Sequence, residues 1–240
     1  MRIAVFTDAY ANLPAVEAAL AAIREAGCDA VFHTGDAIGI GPYPAETVDL
    51  LLSEPTLACV MGNHEAYFVD GLPDPRPAWM SVGEVTHQRW THRQLGAGRR
   101  ELVAQWPTMI RRALEGVGTR FLHYGLTASG RDFVRDLHPG IRGLDDTFKG
   151  RKGKLIFYGH NHRQSDRQSQ TRYVNPGSLG CHTEAVARYC IAEFHRGKYE
   201  VADRGVEYDD APLHRAFEER DVPERTFIYQ AFFGGRFASD

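Results

Sequence analysis

The chain opens on Ile3-Ala4-Val5-Phe6, four apolar residues that stop at Thr7-Asp8. An unbroken apolar run this short is a strand buried on both faces, the kind found in parallel sheets covered by helices. Asn12 then precedes Leu13-Pro14, a capping side chain followed by proline in a first helical turn. Leu13, Val16, Ala19, Leu20 and Ile23 recur at helical spacing until Gly27. A second strand, Ala30 to His33, runs into Gly35-Asp36. A helix near Ala45 to Leu52 follows, then a third strand, Leu57 to Met61, running into Gly62-Asn63-His64-Glu65. Strand-helix-strand-helix-strand is the grammar of an α/β fold.

Residues 71–80 are Pro-rich and read as loop. A polar helix runs from about Val82 to Trp106, interrupted by Gly96 and Gly98 and closed by Pro107. Strands are expected at 109–114, 119–123, 155–158 and 172–174. Longer ones at 187–194 and 199–206 form a hairpin turning at Arg196-Gly197. A final helix is expected over 212–220. No repeat or low-complexity linker breaks the chain, so residues 1–240 read as a single domain.

With 43% hydrophobic and 25% charged residues, the chain is neither disordered nor fibrous. A domain of this length buries about three-quarters of its unfolded surface, so a bound metal would serve function rather than folding. The net charge of -3 argues against coating nucleic acid or anionic membrane, so neither a stable nucleic-acid complex nor a membrane partner is expected. Arg99-Arg100 and Arg111-Arg112 read as solvated helix faces. The four cysteines form no C-x-x-C pair and no disulfide scaffold, which points to a reducing compartment. Cys59 reads as a small core residue. Asp8 interrupts the N-terminus before a signal-peptide core can form, and no stretch approaches ~20 apolar residues. A soluble, cytoplasmic protein is expected.

Polar clusters recur where these strands end: Asp8-Ala9-Tyr10, Gly35-Asp36, Gly62-Asn63-His64-Glu65, His123 and Gly159-His160-Asn161-His162. The carboxyl ends of strands are where α/β sheets bind ligands. Each cluster supplies Asp, Asn or His, all able to hold a metal. An extended backbone would point His160 and His162, at i and i+2, the same way. Singly, each piece has an ordinary structural explanation. Together and in order they do not.

The order resembles that of calcineurin-like metallophosphoesterases: D-x-H, G-D, G-N-H-[DE], a lone H and G-H-x-H. The likeness extends to Asn12, Gly41-Pro42-Tyr43-Pro44, Trp90 to Pro107 and Asn175-Pro176-Gly177-Ser178. The nearest subgroup is the small prokaryotic phosphoesterases labelled diadenosine-tetraphosphatase-related. The resemblance implies a four-layer α/β/β/α sandwich with two mixed β-sheets, and a hydrolase of phosphate monoesters or diesters with a dinuclear metal site. Asp36 would bridge both ions, Asp8 and His162 would hold the first, and Asn63, His123 and His160 the second. A metal-bound hydroxide would attack phosphorus, and His64 would be the catalytic histidine, serving the transition state or the leaving oxygen. The mixed O/N donors suit Mn²⁺ or Fe, with Zn²⁺ a further fit. The implied partner is a small phosphorylated substrate, with a nucleotide among the candidates.

The first motif departs from the family, with Tyr10 where histidine is expected. Three readings follow. Tyr10 ligates the first ion as a phenolate; it covers the site while that ion is weakly held; or activity is lost and the chain is a metal- or nucleotide-binding or interaction module. The longer reach of a phenol favours the covering role. Specificity would come from loops 66–81, with Tyr67, Phe68 and Trp79, and 125–142, with Arg131, Arg135 and His138. Aromatics there would stack on a base or aryl group, and arginines would pair with phosphate.

Overall fold

The computed structural model describes residues 1–127, 133–134, 140–151 and 153–237, so Arg131, Arg135 and His138 lie outside the described residues. In chain order the elements are β1 (Arg2–Phe6), α1 (Leu13–Glu25), β2 (Ala30–His33), α2 (Pro44–Ser53), β3 (Leu57–Cys59), α3 (Asn63–Asp70), α4 (Val82–Val103), β4 (Met109–Leu114), β5 (Val117–Leu122), α5 (Ile141–Thr147), β6 (Leu155–Phe157), β7 (Ser165–Gln168), β8 (Arg172–Asn175), β9 (Val186–His195), β10 (Lys198–Glu207), α6 (Ala211–Glu219) and α7 (Arg225–Phe233).

The local rules hold at α1. The Asn12 side chain accepts from the Ala15 N–H at 3.2 Å, Pro14 stands in the first turn, and Ala15, Val16, Ala19, Leu20 and Ile23 form the buried face. The strands form two mixed sheets, in the orders β10-β9-β1-β2-β3 and β4-β5-β6-β8-β7. In the first, β1, β2 and β3 run parallel, with Ile3 opposite Ala30 and Phe6 opposite His33. In the second, β5, β6 and β8 run parallel between antiparallel edges.

The sheets pack face to face. Ile3, Val5 and Phe32 meet Ile110, Phe121, Phe157 and Val174, and the Phe32 and Phe121 rings stack at 3.8 Å. Ala4, Phe6 and Val31 pack on α1 and α2, on the other face of the first sheet. Leu122, Ile156 and Tyr173 pack against Leu144 of α5 and Phe148. The result is the expected helix-sheet-sheet-helix layering. A further cluster joins Tyr10, Ile40 and Trp90 to Leu213 and Phe217 of α6 and Ile228 and Phe233 of α7, capping the ends of β1 and β2.

Several expectations are corrected. α7 follows the helix read as last, and α5 and β7 were not foreseen. Arg111-Arg112 belongs to β4 and not to a helix. Only Gly96, with φ 70° and ψ 172°, breaks α4. Phe68 belongs to α3 and is buried in the core, so it is no part of a specificity loop. Among the described residues no helix is long and apolar enough to cross a membrane.

Candidate metal centre

Each candidate side chain follows a strand end: Asp8 after β1, Asp36 after β2, Asn63 and His64 after β3, His123 after β5, and His160 and His162 after β6. The loops after β1 and β2 are zipped together. Asp8 N–H donates to Gly35 O, Tyr10 N–H to Asp36 O and Ala11 N–H to Ala37 O, at 2.7–3.0 Å. The backbone there is contorted: Asp8 (φ 53°), Tyr10 (φ 47°), Asp36 (φ 58°), His160 (φ 74°) and His162 (φ 57°) all adopt left-handed conformations. Each costs a non-glycine residue of order 1–3 kcal/mol. This corrects the expectation that His160 and His162 align on an extended backbone. β6 ends at Phe157, and separate left-handed turns aim the two rings. Gly62 is required by close approach, because a Cβ there would collide with Asp36 Oδ1.

Four of the side chains converge. Asn63 Oδ1 lies 3.1 Å from His123 Nε2 and 3.0 Å from His160 Nδ1, and His123 Nε2 lies 3.2 Å from Asp36 Oδ2. His123 Nδ1 is 3.0 Å from the Thr34 carbonyl, to which it donates, so Nε2 is the atom turned to the site. Burial alone would lower the His123 pKa, yet Asp36 and Asp8 raise it to about 9. The cluster therefore draws a proton onto a fully buried ring. A site that gathers carboxylate, amide and imidazole acceptors so tightly needs a positive charge at its centre, and a metal ion meets that need. Burial likewise works to raise the Asp36 pKa, but His123 and His64 outweigh it and hold the carboxyl well below the usual range. Burial, with His123 adding, lowers His160 to about 3 and keeps it neutral, as a ligand must be. Among the described residues, the donor atoms of Asp36, His123 and His160 all lie within 4.8 Å of one another.

The other candidate ligands adjoin this group. Both Asp8 oxygens accept from the His160 N–H, at 3.1 and 3.2 Å. The Tyr10 hydroxyl donates to Asp36 Oδ2 at 3.0 Å and lies 2.6 Å from His162 Nε2. Tyr10 thus does more than cover the site: its oxygen is hydrogen-bonded inside it. Two cis ligands at about 2.1 Å from one ion are themselves roughly 3 Å apart, so these spacings suit neighbouring donors to one cation. Burial, with Asp36 and Asp8 adding, pushes the Tyr10 pKa well above its ordinary value, so the phenol keeps its proton unless a cation displaces it.

His64 approaches the same carboxylate oxygen, its Nε2 3.9 Å from Asp36 Oδ2 and its ring packed edge-on against Tyr10. Its backbone N–H donates to Asp36 Oδ1 at 3.0 Å, and its Nδ1 accepts from the Gln88 amide at 2.8 Å. Gln88 escaped sequence reasoning, although a glutamine on the buried face of α4 with Thr91 and Leu95 was a readable signal. Glu65, the last letter of Gly-Asn-His-Glu, was also given no role. Fully buried, it accepts from the backbone N–H groups of Gly62, Asp36, Ala37 and Ile38 at 2.7–3.2 Å, clamping the Asp36 loop to α3. Burial and Asp36 raise its pKa to about 7, against the pull of those N–H donors.

Residues 1–197 match the calcineurin-like phosphoesterase superfamily domain. The chain belongs to that superfamily. A protein of Methanocaldococcus jannaschii, itself uncharacterised, is 27% identical over 252 residues that cover 98% of each chain. The crystal structure of a hypothetical protein from Pyrococcus horikoshii superposes with a TM-score of 0.80 at 18% identity, over 98% of this chain and 99% of that one. A metallophosphoesterase from Sphaerobacter thermophilus gives 0.70 at 22% identity over 99% of each. These superpositions bear on the fold. As a calcineurin-like phosphoesterase, the chain presents Asp8, Asp36, Asn63, His123, His160 and His162 where its strands end, with Tyr10 beside them.

Proposed function

We propose that this protein is a metal-dependent phosphoester hydrolase with a dinuclear centre. Asp36 would be shared by both ions, with Asp8, His162 and Tyr10 holding the first and Asn63, His123 and His160 the second. The observation that carries this reading is the convergence of Asp36, Asn63, His123 and His160 around one point, with His64 Nε2 3.9 Å from the Asp36 carboxylate. Mixed carboxylate, amide and imidazole donors suit Mn²⁺ or Fe, and also Zn²⁺.

When bound, two such cations supply a nucleophile from water at neutral pH and offset charge on the phosphoryl oxygens. The chain's own residues do the rest. Asp36 stays ionised under His123 and His64. Glu65 fixes the loop that presents it. Gln88, by donating to His64 Nδ1, leaves the ring proton on Nε2, the nitrogen facing the site, where it serves the leaving oxygen as a hydrogen-bond donor or acid. An inactive interaction module would not need His64 and its positioning partner held in that arrangement.

The test is hydrolysis of p-nitrophenyl phosphate and bis(p-nitrophenyl) phosphate with Mn²⁺ and then with a chelator, beside elemental analysis. Turnover that depends on two bound ions supports the proposal. Metal-free protein of unchanged activity overturns it.

A further inference from the structure

The candidate centre opens into a cavity of about 1840 Å³, which Tyr10, Asn63, His64, His160 and His162 share with the segment joining α3 to α4 and with α7. Ligand pockets usually occupy roughly 300–1,000 Å³, so phosphate alone leaves most of this space to the rest of the substrate. Among the described residues the lining has two chemistries, and its aromatic part begins at the centre, where Tyr67 packs on His64, Phe133 on His123 and Phe232 on His162. Tyr67, Trp79, Phe133, Phe227 and Phe232 supply aromatic surface. Trp79 is 44% exposed and Phe227 60% exposed. Large aromatic side chains left that open on one cavity that reaches the candidate centre mark where an apolar group docks.

The second chemistry is negative charge. Asp70, Glu84 and Glu224 line the same cavity, and two of them are placed at a cost. Asp70 is the last residue of α3, where the helix dipole disfavours an acid. Glu224 stands at the start of α7 in a left-handed conformation (φ 64°) without capping that helix. Its carboxylate instead lies over the first turn of α4, so close that a Cβ on Gly83 would come within 2.5 Å of it. These carboxylates repel any anion that reaches past the centre.

We infer that the substrate is a phosphate ester with a bulky aryl or apolar substituent that carries no negative charge of its own, bound against Trp79 and Phe227. The inference rests on the phosphoesterase reading and narrows it: a dinucleoside polyphosphate would set its further phosphates against Glu84 and Glu224.

The test compares 1-naphthyl phosphate, methyl phosphate and diadenosine tetraphosphate with Mn²⁺-loaded protein, and follows 1-naphthol binding to metal-free protein by tryptophan fluorescence. Trp90 and Trp106 are buried, so quenching reports Trp79. The expected kcat/KM for the naphthyl ester exceeds that for the dinucleotide by tenfold or more. Trp79→Ala and Phe227→Ala should each lower the naphthyl-to-methyl ratio about three- to tenfold, the size of one aromatic contact. Naphthol should quench the wild type and not Trp79→Phe when excited at the indole band. Glu84→Gln with Glu224→Gln should raise relative turnover of the dinucleotide. Turnover with unaltered ratios, or preference for the dinucleotide, overturns this inference and leaves the hydrolase standing. No turnover of any ester overturns the hydrolase reading and this inference with it.

Discussion

The Tyr10 hydroxyl lies 2.6 Å from His162 Nε2. The same oxygen donates to Asp36 Oδ2, so it ties the first strand loop to the second and to the loop after β6. Tyr10→Phe deletes both contacts. It should destabilise the metal-free protein by about 1–3 kcal/mol, a fall in Tm of about 2–4 °C for each kcal/mol. It should also lower the bound metal toward one ion per chain. Tyr10→His should keep two ions and raise turnover. Thermal unfolding and elemental analysis of both variants check this, and a Tyr10→Phe protein matching the wild type in both would remove Tyr10 from the ligand set.

Metal uptake should expel protons. Burial, with Asp36 adding and His123 opposing, raises the Asp8 pKa to about 7, and that of His123 stands at about 9. Both groups must be deprotonated to ligate. Affinity for Mn²⁺ should therefore rise with pH from 6 through 9. Calorimetry in buffers of different ionisation enthalpy should show proton release at pH 6.5 that fades above pH 9. Asp36→Asn, which removes the proposed bridge, should abolish both uptake and turnover.

Loss of His64 and loss of its partner should look alike in kind and differ in size. His64→Ala should retain both metals and lose ~10²-fold or more in kcat. Gln88→Leu should lose less, and unequally: alkyl esters, with poor leaving groups, should suffer more than p-nitrophenyl esters, which need little acid assistance. A structural role for Gln88 would slow both substrates equally, so the ratio decides.

Acid should unfold the chain partly through His87. Burial lowers its pKa to about 4, against the Pro223 carbonyl at 3.1 Å. The ring is neutral when folded, whereas the unfolded ring protonates near pH 6.5. Its contribution is complete above pH 6.5 and is lost as pH falls toward 4. Asp8 and Glu65, raised to about 7, act in the opposite sense over that range. The informative quantity is therefore the difference between wild type and His87→Phe. Between pH 4.5 and 6, urea unfolding should give slopes of stability against pH that differ by up to about 1.4 kcal/mol per unit. Parallel slopes would show that His87 titrates normally.

Where sequence fell short, the reasons are local. β1, β2 and β6 were legible because apolar runs such as Ile3 to Phe6 need burial on both faces. β7 was not, because Ser-Asp-Arg-Gln is a polar edge strand that pairs on one side only. α7 begins at Glu224 with no capping side chain, so it lacks the start signal that Asn12 gives α1. Metal-ligand types were visible at Asp36, Asn63, His123 and His160. The orientation of the His160 and His162 rings was not, since left-handed turns leave no periodicity to read. Glu65 was in plain view as a letter, and its role became apparent only once α3 and the Asp36 loop were seen to share it.

The left-handed backbone at Tyr10 bears on how this protein could change over generations. Residues branched at Cβ are strongly disfavoured at such a φ, whereas Asn, Asp and His tolerate it better than most. Replacements at position 10 are sorted by conformation before coordination chemistry is consulted. An exchange between phenol and imidazole passes that sorting, so it can alter the proposed first metal site without rebuilding the loop.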